Sequence, residues 1–104
     1  MRKPLPNRRQ SITVESEWAN RPLTVSVGMN DEGAIREVFA DHAKVGSDGD
    51  AMLDDCLVVL SLALQKGWTI SEFKSHIGRE GTDQMAPAAS VLGYVIELSA
   101  ELEA

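Results

Sequence analysis

The residues with the greatest chemical potential stand between positions 42 and 56, in the segment HAKVGSDGDAMLDDC. This segment holds four aspartates, one histidine and the only cysteine of the chain. Carboxylate, imidazole and thiol groups are the usual metal ligands and the usual groups of acid–base and nucleophilic catalysis. The same polar residues are also typical of a helix start, so a chemical and a structural interpretation compete.

The spacing of these residues favours a capped helix start over a metal site. Ser47 is a good N-cap, and Asp48 and Asp50 would follow in the first turn, where the helix dipole stabilises each carboxylate by about 0.3 to 1 kcal/mol. Asp54 and Cys56 are two positions apart and point to roughly opposite sides of a helix, so they cannot bind one ion. The run also lacks the glutamate of a calcium-binding loop. We expect no metal and no cofactor.

The other reactive side chains have structural explanations as well. His42 follows Asp41 at the end of a predicted strand, where the carboxylate could orient the imidazole as a base, but adjacent strand residues point to opposite faces. His76 stands near the end of a predicted helix and complements its C-terminus. Cys56 begins the most apolar stretch of the chain, where a thiol is buried and inert. No catalytic residue is predicted.

The charges are unevenly distributed. The net charge is −6, yet the first nine residues carry four positive charges and no negative one. The rest of the chain is therefore strongly acidic and repels nucleic acid, which we do not expect as a main partner. The basic segment is expected to lie on its own domain or on a partner. Candidates for contact with a partner or a phosphate group are Lys3, Arg8, Arg9 and His42.

A single domain must position these residues, because the chain has only 104 of them. Residues 1–10 contain two prolines and no periodicity, which indicates an extended arm before a domain over residues 11–104. Apolar and polar residues then alternate in SITVESEW and LTVSVG, and AIREVFA is interpreted as a third, shorter strand. Three strands joined by short turns predict an antiparallel meander with one covered face. The face left to solvent carries Thr13, Glu15, Glu17, Thr24 and Ser26.

The period changes in AMLDDCLVVLSLALQKG, which is too long for a strand. Ser61 is the only polar residue between Cys56 and Leu64, so we expect a helix that other elements enclose on all sides. Gly67 is expected to end it.

A second, short helix is predicted from Ile70 to Ile77. Thr69 and Glu72 have the spacing of a capping box, and Trp68 and Phe73 that of a hydrophobic staple.

A third helix is predicted to start near Pro87 and to turn an apolar stripe towards the core or a second subunit. Gly93 interrupts this stripe, which indicates a close approach of a neighbouring element. Acidic residues crowd its last turns, where the helix dipole disfavours anions, and the basic arm is the expected counter-charge. These residues are Glu97, Glu101 and Glu103. The fold class is therefore α+β in the order β-β-β-α-α-α: a three-stranded antiparallel meander packed on a long buried helix, with two further helices.

Three segments in this order resemble the TSCPD domain family: LPNRRQSITVE, REVFADHAKVGSDGDAMLDDCLVVLSLALQKGWTISEF and ASVLGYVIEL. The family includes the C-terminal region of vitamin B12-dependent (class II) ribonucleotide reductases and short free-standing proteins. The resemblance covers residues 5–98. The Thr-Ser-Cys-Pro-Asp run that names the family is absent here, so no cysteine-dependent metal or redox role is carried over to Cys56.

The resemblance implies a non-catalytic accessory or interaction module that lacks the catalytic barrel and cannot reduce a nucleotide alone. We expect a homodimer, with a reductase large subunit as a further partner. As an alternative, the chain is a subunit of a split reductase and contributes nucleotide or nucleic-acid binding through its basic arm. A small enzyme that uses His42 with Asp41 has the least support. No apolar run is long enough to span a bilayer and no secretory signal is evident, so we expect a cytoplasmic protein without membrane contact.

Overall fold

The computed structural model describes residues 10–42, 48–83 and 85–103, with the backbone alone for 48–50. The arm residues Lys3, Arg8 and Arg9 and the predicted N-cap Ser47 lie outside this description, and the division into arm and domain stays a prediction. The elements are β1 (Ser11–Trp18), β2 (Arg21–Met29), β3 (Ile35–His42), α1 (Asp48–Gln65), α2 (Ile70–Lys74) and α3 (Val91–Leu102). The predicted α+β order is confirmed.

The three strands form an antiparallel meander in the order β1-β2-β3. Val14 lies opposite Val25, which in turn lies opposite Ala40, so the apolar positions of all three strands share one face. The two residues that join β1 to β2, Ala19 and Asn20, have φ angles of 54° and 65°. Two positive φ angles are typical of a type I′ turn, whose twist matches that of the strands it connects.

The second turn is held by the side chain of Asn30. Its Oδ1 accepts the backbone amides of Glu32 at 2.9 Å and of Ala34 at 3.0 Å. Gly33 has a φ of 82°, in the left-handed region that glycine adopts without steric cost.

The two faces of the sheet differ as the alternation predicts. Leu23, Val25 and Val27 are fully or almost fully buried under the helices. On the other face the hydroxyl groups of Thr13 and Ser26 lie 3.0 Å apart, and every side chain of the predicted solvent face is exposed or half-buried.

Helix α1 packs against β3 with one side only. Leu53, Leu57, Leu60 and Leu64, at spacings of three and four residues, are buried against the sheet. The expectation that other elements enclose the outer side is wrong for the residues described. That side has no third layer, because α3 packs beside α1, on the same face of the sheet, and α2 packs on α3. Four apolar side chains of α1 are consequently 41–67% exposed: Met52, Val58, Val59 and Leu62.

The C-terminus of α1 is closed by a glycine motif and an arginine. Gly67 has a φ of 116°, its amide donates to Leu64 O at 3.2 Å, and the amide of Trp68 donates to Ala63 O at 3.2 Å. These bonds form a Schellman motif, so the predicted stop is confirmed. Arg36 of β3 adds a cation to this end, because its Nη1 donates to Leu64 O at 2.9 Å and to Trp68 O at 3.0 Å.

The predicted start of α2 is confirmed in detail. The Thr69 side chain accepts the Glu72 amide at 3.2 Å, and the Glu72 carboxylate accepts the Thr69 amide at 3.0 Å. The ring centroids of Trp68 and Phe73 are 5.8 Å apart, as a hydrophobic staple requires.

Helix α2 ends earlier than predicted, at Lys74 instead of Ile77. The Ser75 hydroxyl donates to Glu72 O at 2.7 Å. A continuing helix would offer this carbonyl oxygen to the amide of His76, so the serine side chain competes with the helical bond.

Helix α3 begins later than predicted, at Val91 instead of near Pro87. The carbonyl oxygen of Pro87 accepts the Glu80 amide at 2.9 Å, which pairs this segment with the chain that follows α2. Ser90 is the N-cap, and its hydroxyl accepts the Gly93 amide at 3.0 Å. Among the described residues, no helix is long and apolar enough to cross a membrane; the cytoplasmic location stays a prediction.

Candidate functional site

The imidazole of His42 is inside the fold, and both of its nitrogens have partners. Nδ1 lies 3.1 Å from Arg21 Nη2, and Nε2 lies 3.1 Å from the carbonyl oxygen of Trp18. A guanidinium group can only donate, so Nδ1 accepts and Nε2 carries the proton that it donates to Trp18. The ring of His42 thereby joins the β1–β2 turn to the end of β3.

Asp41, the predicted partner of His42, and the second histidine, His76, both lie elsewhere. Asp41 is exposed on the opposite face of the sheet, across from Thr24, so it does not orient the His42 ring. His76 is exposed in the turn after α2. The geometry thus brings none of these three side chains together.

The polar start of α1 is distributed around the helix. Asp54 and Asp55 are exposed, while the side chains of Asp48 and Asp50 are outside the description. Within the part of the chain that the structure describes, no three His, Cys, Asp or Glu side chains are placed to share a metal ion. Cys56 is half-buried, which corrects the expectation of a fully enclosed thiol. It is half-buried because it lines a groove.

This groove is apolar and lies between α1, α2 and α3. Its volume is about 330 Å³, at the lower end of the range for small-molecule pockets. Among the described residues, Asp55 is the only charged one in its lining. The remaining lining consists of Cys56, Val59, Leu60, Phe73, Leu92 and Ile96.

A second cavity of about 230 Å³ extends the first along α2 and α3. The two cavities share Phe73, Leu92 and Ile96, and the second adds His76 and Ile77. We call the two together the helix groove. Apolar grooves between helices are a recurring docking site for segments of other chains.

The exposed side of α1 adjoins the helix groove. At about 100° per residue, its four exposed apolar residues fall within an arc of roughly 120° on the side of the helix away from the sheet. Val59 belongs both to this arc and to the groove lining, so the two apolar surfaces are continuous. We call the four residues the outer stripe: Met52, Val58, Val59 and Leu62.

Helix α3, one wall of the groove, is fixed by contacts at both of its ends. The Tyr94 hydroxyl lies 2.6 Å from the Ser16 hydroxyl, and its ring centroid lies 5.3 Å from that of Trp18 on β1. Near the helix C-terminus the Glu103 carboxylate accepts the Ile35 amide at 2.8 Å. These bonds hold the wall against the sheet.

The acidic end of α3 has a counter-charge within the domain. Arg79 Nη1 lies 2.7 Å from Glu97 Oε2, with only 8% of the arginine side chain and 26% of the glutamate side chain exposed. Arg79 also donates to Ala86 O at 2.9 Å. Arg79 thus supplies a counter-charge to Glu97, while contact of the basic arm with this end of α3 lies outside the described residues and stays a prediction. Sequence reasoning missed Arg79, since only the tertiary fold brings it to α3.

Gly93 lies at the close approach that the sequence predicts. A Cβ atom there would be 3.4 Å from Ala88 Cβ and 3.5 Å from Ile77 Cβ. Ala88 stands in the segment that leads into α3 and Ile77 in the turn after α2, so the approach is not between two long helices.

The meander, the two-layer packing and the helix groove define a small α+β domain with a continuous apolar surface. The TSCPD domain model matches residues 2–97, and the chain belongs to this family. The resemblance seen in the sequence is thereby confirmed.

The chain is similar to two vitamin B12-dependent ribonucleotide reductases. It is 31% identical over 103 residues to that of Agrobacterium fabrum and 26% identical over 103 residues to that of Bradyrhizobium diazoefficiens. Each alignment covers 90% of this chain and 8% of the reductase, so the chain spans a small part of the length of these relatives. No solved structure matches the chain.

Proposed function

We propose that the chain is a non-catalytic accessory module that binds protein partners through the helix groove and the outer stripe. The observation that carries the proposal is that α1 has apolar residues on two sides, of which only one is buried. One side of this helix packs on the sheet, and the other leaves Met52 and Val59 about two-thirds exposed. Contiguous exposed apolar surface of this kind marks an interaction site in soluble proteins.

The positions of His42 and Asp41 support a binding function over a catalytic one. His42 is held by Arg21 and Trp18, and Asp41 lies on the other face of the sheet. An acid–base pair needs both groups within hydrogen-bond reach of one reacting atom. The groove itself offers van der Waals contact and one carboxylate, that of Asp55.

Similarity to the reductases supports a reductase chain as the partner. The chain corresponds to 8% of each relative, so the module is related to one segment of those enzymes and not to the whole. We propose that its partner is the large chain of a vitamin B12-dependent ribonucleotide reductase, and that the module exists as a homodimer.

Filling the groove tests the proposal. Cys56 is half-buried in the lining, so Cys56→Trp places an indole in the groove, whereas Cys56→Ser keeps the volume nearly unchanged. We expect the tryptophan variant to weaken binding to a purified reductase large chain at least tenfold, measured by biolayer interferometry, and the serine variant to bind as the unmodified chain does. Melting curves of the two variants serve to check that both fold. Absence of binding by the unmodified chain, or equal binding by all three, contradicts the proposal.

A second candidate function rests on the charge asymmetry of the N-terminus. Four positive charges and no negative one in the first nine residues favour an alternative in which a split reductase subunit contacts nucleotide or nucleic acid through Lys3, Arg8 and Arg9. The test is titration with ATP, dATP and single-stranded DNA at two salt concentrations. Binding that weakens with salt and is lost in the triple alanine variant, but kept in the control Lys74→Ala, supports this alternative. Equal binding by both variants, or none, contradicts it.

A further inference from the structure

Two exposed charges flank the centre of the outer stripe. Asp55 lies on α1, and Lys66, the first residue after α1, stands eleven residues further along the chain. Eleven residues are close to three helical turns, about 16 Å, so both side chains lie on the side of the helix that carries the stripe. Val59 and Leu62 stand between them. Along this side of the helix, an acidic residue is therefore followed by an apolar centre and then by a basic residue.

Two copies of this surface are complementary when their α1 helices run antiparallel, because each acidic end then faces a basic end. In an antiparallel pair that crosses between positions 60 and 61, Val59 of one copy meets Leu62 of the other, and Asp55 meets Lys66 at both ends. In a parallel pair, Asp55 would meet Asp55 and Lys66 would meet Lys66. A two-fold axis perpendicular to the helices makes this contact reciprocal, so that residue i of one copy meets residue j of the other and j meets i.

We propose that a second copy of this chain covers the outer stripe, with the two α1 helices antiparallel and an Asp55–Lys66 ion pair at each end of the contact. This inference rests on the proposed function of the surface and names the occupant of one part of it. The contact includes Asp55 and Val59 at the α1 edge of the helix groove, whereas the walls that Phe73 of α2 and Leu92 of α3 form are not part of the α1–α1 contact. A dimer of this kind presents two helix grooves to a reductase chain.

The exposed area is consistent with the core of such an interface. The exposed fractions of the four stripe residues, 41–67%, correspond to apolar surface on the order of 400 Å² per copy, about half of the ~800 Å² that a stable interface buries per partner. Interface cores are apolar and their rims polar. Asp55 and Lys66, on either side of the Val59 and Leu62 centre, occupy rim positions in this arrangement.

Analytical ultracentrifugation of the full chain tests the inference. We expect a mass of twice the 11.3 kDa of one chain. Leu62→Asp should give a single-chain mass, because it places a carboxylate at the centre of the contact. Asp55→Lys should weaken the dimer at least tenfold at low salt, since it sets like charges against each other at both ends.

The charge-exchanged double variant, Asp55→Lys with Lys66→Asp, should restore the dimer, because the pairs are then reversed but again opposite in sign. Glu101→Lys is the matched control on exposed α3 surface and should leave the mass at twice that of one chain. Circular dichroism verifies folding of each variant. A single-chain mass for the unmodified protein overturns the inference, and so does a dimer that neither Leu62→Asp nor Asp55→Lys weakens.

The outcome is separable from the test of the proposed function. If the chain is monomeric and Cys56→Trp still weakens reductase binding, the dimer inference is wrong and the accessory role is supported. If the dimer responds to charge exchange as expected but the chain does not bind the reductase, the proposed reductase partner is wrong and the dimer inference is supported.

Discussion

Ser61 and Val38 are joined by two hydrogen bonds across the interface between α1 and β3. The Val38 amide donates to Ser61 Oγ at 3.0 Å, and the Ser61 hydroxyl donates to the Val38 carbonyl oxygen at 3.2 Å. β3 is the last strand of the described sheet, so its outward backbone groups have no strand partner there. The one polar residue in the apolar stretch of α1 thus satisfies a buried peptide group of an edge strand.

Replacing Ser61 with alanine should lower the free energy of unfolding by about 1 to 3 kcal/mol, because it leaves the amide and carbonyl of Val38 buried without partners. Urea denaturation followed by circular dichroism measures the change. Ser71→Ala on exposed α2 surface is the control and should change stability by less than about 0.5 kcal/mol. Equal stability of the two variants would show that the bonds to Val38 contribute nothing.

Glu97→Gln should destabilise the domain by about 1 to 2 kcal/mol, since it leaves the nearly buried guanidinium of Arg79 without an opposite charge. The matched control is Glu101→Gln, which removes the same charge one turn later on an exposed position of the same helix. We expect the control to be within about 0.5 kcal/mol of the unmodified chain in the same denaturation assay. A loss of equal size in both variants would indicate a general charge effect.

Ala19→Gly should stabilise the domain by about 0.5 to 1 kcal/mol, because Ala19 has a positive φ that glycine adopts without steric cost. Ala51→Gly, at an exposed position inside α1, should have the opposite sign and cost about 1 kcal/mol. The melting temperature should therefore rise for the first variant and fall for the second. A fall in both would mean that the turn tolerates alanine without strain.

Gly93→Ala should be neutral or should stabilise α3 by up to about 1 kcal/mol through its higher helix propensity. A methyl group there meets Ala88 and Ile77 at ordinary contact distances of 3.4 and 3.5 Å. Gly93→Leu should be strongly destabilising, because the larger side chain has no space at the same contacts. Thermal melts separate the two, and a loss with the alanine variant would show that the contact is tighter than these distances indicate.

Local features of the fold follow closely from the sequence. The strand alternation, the turn at Gly33, the Schellman stop at Gly67 and the capping box of Thr69 and Glu72 each depend on residues close together in the chain. The boundary errors have local causes too. Ser75 competes for a helical carbonyl, and Pro87 is used in a bridge instead of a first helical turn.

The surface of α1 could not be deduced from its composition. Apolar residues on both sides of the helix hide the period of three and four, so the buried Leu57 and the exposed Val58 look alike in the sequence. Which side is buried depends on where β3 and α3 lie. The same applies to Arg36 and Arg79, whose carbonyl and carboxylate partners are brought near only by the tertiary fold. The helix groove, formed by three helices, was missed for this reason.

The contact between Trp68 and Phe73 has a practical consequence for measurement. The chain contains two tryptophans, and they occupy different environments: Trp18 lies beside Tyr94 at the sheet, while Trp68 is half-exposed and touches a ring that lines the helix groove. An indole in that place changes its emission when the water around it is displaced. The molecule thus carries an intrinsic fluorescent reporter of groove occupancy, and a second indole that serves as the internal reference.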